Sequence, residues 1–344
     1  MGIHEKNILR CINLALRAFG ETTPNPMVGC VIVCAGKIIG EGYHQQYGAA
    51  HAEVNAINSV RDKSLLSQST LYVNLEPCSH FGKTPPCVDL LITHKIKLVV
   101  IGTMDPNPKV SGMGIKKLIS SGCDVKLGVL EEECREVNRR FFTYYEKKRP
   151  YIILKWAQTR DGFIGVKDKK IKITTEKLNK LVHQWRSEEQ AIMVGTQTAL
   201  VDNPKLTVRK IKGKSPMRIV LDRRLKIPDS YHLIDKQVPT LVFTEKKKIS
   251  KINLEYVVIN FDKEVLYQIL KELYKRQIQS LIVEGGAKLI NSFINEECWD
   301  EARILSGAKW VRPNAKGIDA PIIQGRQTSK KNIGKESYTC LRRI

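Results

Sequence analysis

The sequence predicts a two-part α/β protein. Three observations carry that reading. The chain has 344 residues, enough for about two domains of ordinary size. Short apolar runs alternate with segments of helical periodicity in both halves, the pattern of sheets covered by helices. A charged break ending in proline, Lys147-Lys148-Arg149-Pro150, separates the halves.

In the first half, residues 4–20 place Ile8, Cys11, Ile12, Ala15 and Phe19 on one helical face. Asn25-Pro26 breaks the chain. Val28 to Val33 and Ile38 to Tyr43 read as strands joined at Ala35-Gly36. His51 to Ser59 reads as a helix, Leu71 to Leu75 as a strand, Val88 to His94 as a helix and Lys97 to Gly102 as a strand. Gly114 to Ser121 and Glu131 to Tyr145 complete the half as helices. The second half restarts with a strand, Tyr151 to Trp156. The helix Thr175 to Ser187 sets Leu178, Leu181, Val182 and Trp185 on one side. Short strands follow at Ala191 to Val194, Arg218 to Leu221, Thr240 to Phe243, Tyr256 to Ile259 and Ser280 to Val283. Helices follow at Val265 to Arg276 and Ala287 to Ile294. Thr196 to Arg209 reads as a polar turn, and no element is assigned from about residue 306 onward.

Composition narrows the function classes. Hydrophobic residues make up 42% and charged residues 27%, which supports a buried core and argues against global disorder. No apolar run approaches the roughly 18 residues that cross a bilayer. The opening stretch carries an early acid and no small-residue cleavage site, so it is not read as a secretion signal. Nine scattered cysteines, an odd number, point to the reducing cytoplasm rather than to a disulfide scaffold. The formal charge is +22, divided as +4 in residues 1–148 and +18 in residues 149–344. The excess lies in short clusters, such as Lys246 to Lys248, without interleaved aromatics for stacking bases. A solvated lysine-rich surface is the first reading and a field that attracts phosphorylated small molecules the second; both fit better than a nucleic-acid partner.

The chemistry-bearing segment is His51-Ala52-Glu53, followed by Pro77-Cys78 and then Cys87. One His and two Cys suit Zn²⁺, and three protein ligands leave the fourth tetrahedral position for water, as a catalytic zinc needs. Glu53, two residues from His51, can pass protons without binding the metal. Zinc deaminases of nucleobases combine these elements. Cys11, Cys30, Cys34, Cys123, Cys134, Cys298 and Cys340 lack this context and read as packing residues.

Eight residues, Ser79 to Pro86, separate the two cysteines, where most such deaminases have two. With Pro24-Asn25-Pro26-Met27-Val28-Gly29 upstream and Asp105-Pro106-Asn107-Pro108 downstream, the chain resembles the bifunctional riboflavin-biosynthesis deaminase/reductase family over essentially its whole length. The resemblance implies a cytidine-deaminase-like α/β/α sandwich in residues 1–148, followed by a dihydrofolate-reductase-like α/β domain in residues 149–344. It implies zinc ligands His51, Cys78 and Cys87, with Glu53 as proton shuttle. Asn25, His44, Lys83, Asp105 and Asn107 match substrate contacts of the deaminase. The substrate would be 2,5-diamino-6-(5-phosphoribosylamino)pyrimidin-4(3H)-one, losing its 2-amino group.

In the second half the resemblance implies NADPH-dependent reduction of the ribosyl group of 5-amino-6-(5-phosphoribosylamino)uracil to ribityl. Ala157, Thr198, Asp202 and the run Gly286, Ala287, Lys288, Leu289, Ile290, Asn291 and Ser292 match cofactor contacts. Arg186, Leu206, Arg209 and Glu284 match substrate contacts. From the residues alone, Glu284-Gly285-Gly286 marks a tight strand-to-helix turn where backbone N–H groups can approach a phosphate. The chain departs from the family where Lys170-Ile171-Lys172 stands in place of Ser-x-Trp.

The expected partner is a phosphoribosyl-pyrimidine substrate, with no nucleic acid and no membrane, and the chain is expected to form a homo-oligomer. Competing readings are a deaminase with a degenerate reductase domain, a tRNA or nucleobase deaminase with an appended domain, and a structural zinc protein. The near-neutral first half and the cysteine spacing oppose the tRNA reading. A structural site would want a fourth protein ligand.

Overall fold

Alternation along one strand decides the layering of residues 1–148. The computed structural model describes residues 1–81, 85–167, 171–310 and 317–344. The chain divides into two compact units, Met1–Lys148 and Arg149–Ile344. The first holds β1 (Gly29–Cys34), β2 (Lys37–Tyr43), β3 (Thr70–Leu75), β4 (Leu98–Thr103) and β5 (Asp124–Leu127), in the spatial order β2-β1-β3-β4-β5. β1 pairs antiparallel with β2 and β3, whereas β3, β4 and β5 run parallel. Because side chains alternate along a strand, Cys30 and Ile32 face one core and Val31 and Val33 the other.

The first of these cores is covered by α2 (Ala52–Ser59), α3 (Cys87–Thr93) and α4 (Met113–Ser120), through Ala56, Val88, Leu91 and Leu118. The second is covered by α1 (Ile3–Ala15) and α5 (Glu131–Val137), through Ile8, Cys11, Cys134 and Val137. The result is the expected α/β/α sandwich. α2 lies unusually close to β2 because β2 offers two glycines. A Cβ on Gly42 would sit 2.3 Å from the Ala56 nitrogen, and one on Gly40 would sit 2.6 Å from the Ala56 oxygen.

Two expectations for this half need correction. The segment read as one helix, Glu131 to Tyr145, is two, α5 and α6 (Arg139–Lys147). The break falls at Asn138, whose amide serves the Met27 backbone instead: it accepts the Met27 N–H at 2.8 Å and donates to the Met27 carbonyl at 2.9 Å. β5 was not foreseen, since Asp124, Lys126 and Leu127 are exposed at the sheet edge and leave no apolar signature.

The second unit is built on nine strands in the order β11-β10-β9-β8-β12-β6-β13-β16-β15. These are β6 (Tyr151–Gln158), β8 (Ala191–Gly195), β9 (Met217–Leu221), β10 (Thr240–Thr244), β11 (Leu254–Val258), β12 (Ser280–Glu284), β13 (Glu301–Ser306), β15 (Arg326–Ile333) and β16 (Glu336–Arg342). Strands β6 and β8 through β13 run parallel, and the β15–β16 hairpin adds two antiparallel strands. β7 (Phe163–Val166) pairs separately with β14 (Gly317–Asp319). One face packs on α9 (Val265–Lys275) and α10 (Ala287–Asn295). The other packs on α7 (Glu176–Glu188) and α8 (Thr196–Asp202).

Here the expected polar turn at Thr196 is the helix α8, and the unassigned tail holds strands β14, β15 and β16 among its described residues. β13 was hidden by its charges: Glu301 and Arg303 are both buried and pair with each other at 2.6 Å. β15 was hidden because its residues are almost all exposed.

Gly42→Ala forces a methyl into the α2 backbone. It is expected to destabilise the first unit by about 1–3 kcal/mol, read as a lower urea midpoint. Ile38→Ala, at a half-exposed position of the same strand, is expected to change stability by less than about 0.5 kcal/mol.

Two candidate active sites

In the first unit, element ends bring three soft ligands together. His51 is the N-cap residue of α2, Cys87 is the first residue of α3, and Cys78 lies just past the end of β3. His51 Nδ1 lies 3.5 Å from Cys78 Sγ and 3.3 Å from Cys87 Sγ, and the three ligand atoms fall within 4.8 Å of one another. A tetrahedral zinc with its usual Zn–S and Zn–N bonds implies N to S separations of about 3.5 Å. The donor set and its spacing therefore fit Zn²⁺. The Cys87 N–H points at Cys78 Sγ from 3.3 Å. Hydrogen bonds from Cys87 and then His51 hold the Cys78 thiol down to about 4, in the thiolate form that a metal takes. The Cys87 thiol is pushed up by that same bond and by burial.

Glu53 follows in the first turn of α2 and is buried. Burial, reinforced by the Cys78 charge, pushes its carboxyl up to about 7. It lies beside Cys87, to which it hydrogen-bonds, but stands outside the three-ligand group.

The structure brings Asn25 and His44 to the same place. The Asn25 amide donates to His44 Nε2 at 3.1 Å, while His44 Nδ1 donates to the Ala50 carbonyl at 3.1 Å. That pairing fixes the His44 tautomer and leaves the Asn25 oxygen as an acceptor. The His44 ring meets the His51 ring edge-on at 5.3 Å. Burial lowers the His44 pKa, so its neutral form is favoured. Asp105 is buried past the end of β4, and burial raises its carboxyl to about 7. Its Oδ1 accepts the Asn107 N–H at 2.7 Å. Lys83 lies outside the described residues.

The second unit opens a cleft of about 1350 Å³ at the carboxyl ends of β6, β8 and β12, where parallel sheets bind ligands. Ala157, Thr198, Asp202, Gly286, Ala287, Lys288 and Ile290 line it, as do Arg186, Leu206, Arg209 and Glu284. Leu289 is instead buried in the core, Asn291 is exposed, and the Ser292 hydroxyl donates to the Leu289 carbonyl. Gly285 has φ +129°, and a Cβ there would meet Thr198 at 2.8 Å. The turn therefore needs glycine to press against Thr198. Lys172 reaches the cleft, while Lys170 lies outside the described residues.

A buried trio of charges forms one wall. Arg186 grips Glu284 with two bonds, Nε to Oε1 at 2.9 Å and Nη2 to Oε2 at 2.8 Å, and Lys155 Nζ reaches Oε2 at 3.3 Å. Burial alone would raise the Glu284 carboxyl, but Arg186 and then Lys155 bring it down to about 2. Burial lowers the Lys155 pKa.

Sequence reasoning missed Lys155, Asn74 and Glu76. Asn74 accepts the Gly29 N–H and donates to the Met27 carbonyl, so with Asn138 it clamps the segment that follows Asn25. Each of these polar residues interrupts or ends an apolar strand, and that is the signal that could have found them.

Cys87→Ala is expected to lose the metal, and Glu53→Ala to keep about one zinc per chain, both read by elemental analysis.

Residues 1–103 match the cytidine and deoxycytidylate deaminase zinc-binding region, and residues 150–312 match the RibD C-terminal domain. A crystal structure from Thermotoga maritima, described as a diaminohydroxyphosphoribosylaminopyrimidine deaminase/5-amino-6-(5-phosphoribosylamino)uracil reductase, superposes with a TM-score of 0.89. It is 37% identical, with 99% of both chains covered. RibD of Acinetobacter baumannii superposes equally well, at 0.89 and 29% identity over 98% of both chains. The riboflavin biosynthesis protein RibD of Actinobacillus pleuropneumoniae is 44% identical over 88% of this chain and 85% of its own. With the Aquifex aeolicus protein of that name the identity is 43% over 96% of each chain, and on that extent of likeness the chain belongs to the RibD family of riboflavin biosynthesis proteins.

Proposed function

We propose that this chain carries out two consecutive reactions of riboflavin biosynthesis. The first unit removes the 2-amino group of 2,5-diamino-6-(5-phosphoribosylamino)pyrimidin-4(3H)-one by zinc-dependent hydrolysis. The second reduces the ribosyl group of the product, 5-amino-6-(5-phosphoribosylamino)uracil, to ribityl with NADPH. The observation that carries the first assignment is the three-ligand cluster with a buried, non-ligating Glu53 beside it.

His51, Cys78 and Cys87 would hold the zinc, which when bound supplies a water acidified to a pKa of about 7. Glu53 takes a proton on the attacking side and returns one to the departing amine, so that ammonia leaves. A carboxyl pushed up to about 7 suits both halves of that exchange at neutral pH. Asn25, oriented by His44, offers its oxygen to a donor on the pyrimidine edge. Asp105, close enough to Cys78 to feel its charge, and Asn107, whose N–H it accepts, would meet the substrate from the loop after β4.

In the second unit Thr198 and the Gly285-Gly286 turn would hold NADPH, the source of the hydride. When C1 of the sugar is reduced, the bond from C1 to the ring oxygen breaks and that oxygen needs a proton. Lys155 is the buried ammonium that lines the cleft. Glu284 holds it in place and commits two Arg186 donors, so the substrate phosphate would fall to other cations that line the cleft, Arg209 and exposed Lys205 among them. The reading places the enzyme in the cytoplasm as a homo-oligomer. Its nine cysteines are unpaired, as a reducing compartment keeps them. Among the described residues no helix is long and apolar enough to cross a membrane.

The test supplies purified protein with each substrate in turn. Ammonia release from the diamino compound, and NADPH oxidation on the deaminated compound, are both expected. Glu53→Ala should lower ammonia release at least about 10²-fold and leave NADPH oxidation on supplied intermediate intact. Absence of NADPH oxidation from protein that still releases ammonia would leave a deaminase with a repurposed second unit.

A further inference from the structure

One buried acid of the first unit has no part in the chemistry above. Glu76 stands between the end of β3 and Pro77, two residues before Cys78, and is 4% exposed. Its carboxylate collects four backbone N–H groups. Oε2 accepts from Asp105 at 3.2 Å and Gly112 at 3.0 Å; Oε1 accepts from Gly114 at 3.0 Å and Ile115 at 3.3 Å. Its own N–H donates to the Thr103 carbonyl at 3.0 Å, which ties it to the end of β4.

These bonds do two jobs. α4 has Gly112 at its N-cap and no side-chain cap of its own, so Glu76 caps it from a remote point in the sequence. A negative group at a helix start is favourable, and four N–H bonds offset the cost of burying the carboxylate. A Cβ on Gly114 would sit 2.4 Å from the Pro77 carbonyl, so the start of α4 is pressed against the segment that carries Cys78. The loop between the two tied points holds Asp105 and Asn107. Asp105 Oδ1 receives the Asn107 N–H, and Asn107 Oδ1 receives the Lys109 N–H at 3.1 Å. Both ends of this chain of turns therefore rest on one carboxylate.

We propose that Glu76 is a positioning residue of the deaminase: its carboxylate holds the Asp105–Ile115 loop in register with Cys78, so that Asp105 and Asn107 meet the substrate. The inference rests on the deaminase reading above. Glu76→Gln keeps the size but turns one acceptor into an amide donor facing N–H groups. It is expected to raise the KM for the diamino substrate about tenfold or more while kcat stays within about threefold. Zinc stays at one per chain, and NADPH oxidation on supplied deaminated intermediate does not change. Glu76→Asp, which keeps the charge on a shorter stem, recovers part of the loss. In an Asn107→Ala background, Glu76→Gln costs much less than in the wild type, because both act on one contact.

An unchanged KM, a loss confined to kcat, or equal costs with and without Asn107 would overturn the proposal. If Glu76→Gln does not accumulate as folded protein, Glu76→Asp carries the same cycle with the same criteria. Failure of the wild type itself to release ammonia would remove the deaminase reading instead, so the two failures are distinguishable.

Discussion

Everything in the first unit depends on how closely α2 can approach the sheet. His51 and Glu53 both stand at its start, whereas Cys78 and Cys87 arrive from segments 27 and 36 residues away from His51. A zinc site tolerates little error, since its bonds are fixed near 2.0–2.3 Å. The glycines of β2 let the α2 backbone rest directly on the strand, and the buried Ala52, Ala56 and Ile57 seal that contact. The ligand spacing is thus set by backbone packing rather than by flexible side chains. That is the kind of support a site needs if its geometry is to persist without the metal.

The second unit solves a different problem. Its cleft must attract phosphates, which calls for cations, yet its wall is deep enough that a lone buried cation would be costly. Pairing one carboxylate with two cations meets both demands. Glu284 holds Arg186 and Lys155 together, and the trio keeps one net positive charge. Lys167, Lys172, Lys205, Arg209, Lys210 and Lys288, part of the basic excess of residues 149–344, also line the cleft and add to its positive field. The charge asymmetry between the halves therefore has a local meaning.

Much of this was legible in the sequence, and the parts that were not share physical causes. The cluster of His51, Cys78 and Cys87, with Glu53 beside it, could be read because its chemistry is local in type and spacing. Strands buried on both faces were found, since such burial imposes a short continuous apolar run. β13 was lost because Glu301 and Arg303 neutralise each other inside the fold, which no windowed hydropathy can show. β5 and β15 were lost at sheet edges, where little is buried. Asn138 ended a helix for the sake of Met27, more than a hundred residues away. Lys155 and Glu76 were missed for the same reason. Each looks like a misplaced charge until its partners, 129 and 29 to 39 residues distant, are known.

The two sites place a buried glutamate at their centres and drive it in opposite directions. Glu53 is buried beside Cys78, so burial wins and its carboxyl rises to about 7. Glu284 is equally buried, but two cations outweigh the same penalty and its carboxyl falls to about 2. A group near 7 exchanges protons at neutral pH; a group near 2 keeps its charge throughout the working range. Deamination needs the first, because water must lose a proton and an amine must gain one. Keeping Lys155 and Arg186 fixed in the cleft wall needs the second, because a carboxylate that protonated would release both. One side-chain type would thus serve both proposed reactions, with its neighbours deciding which role it takes.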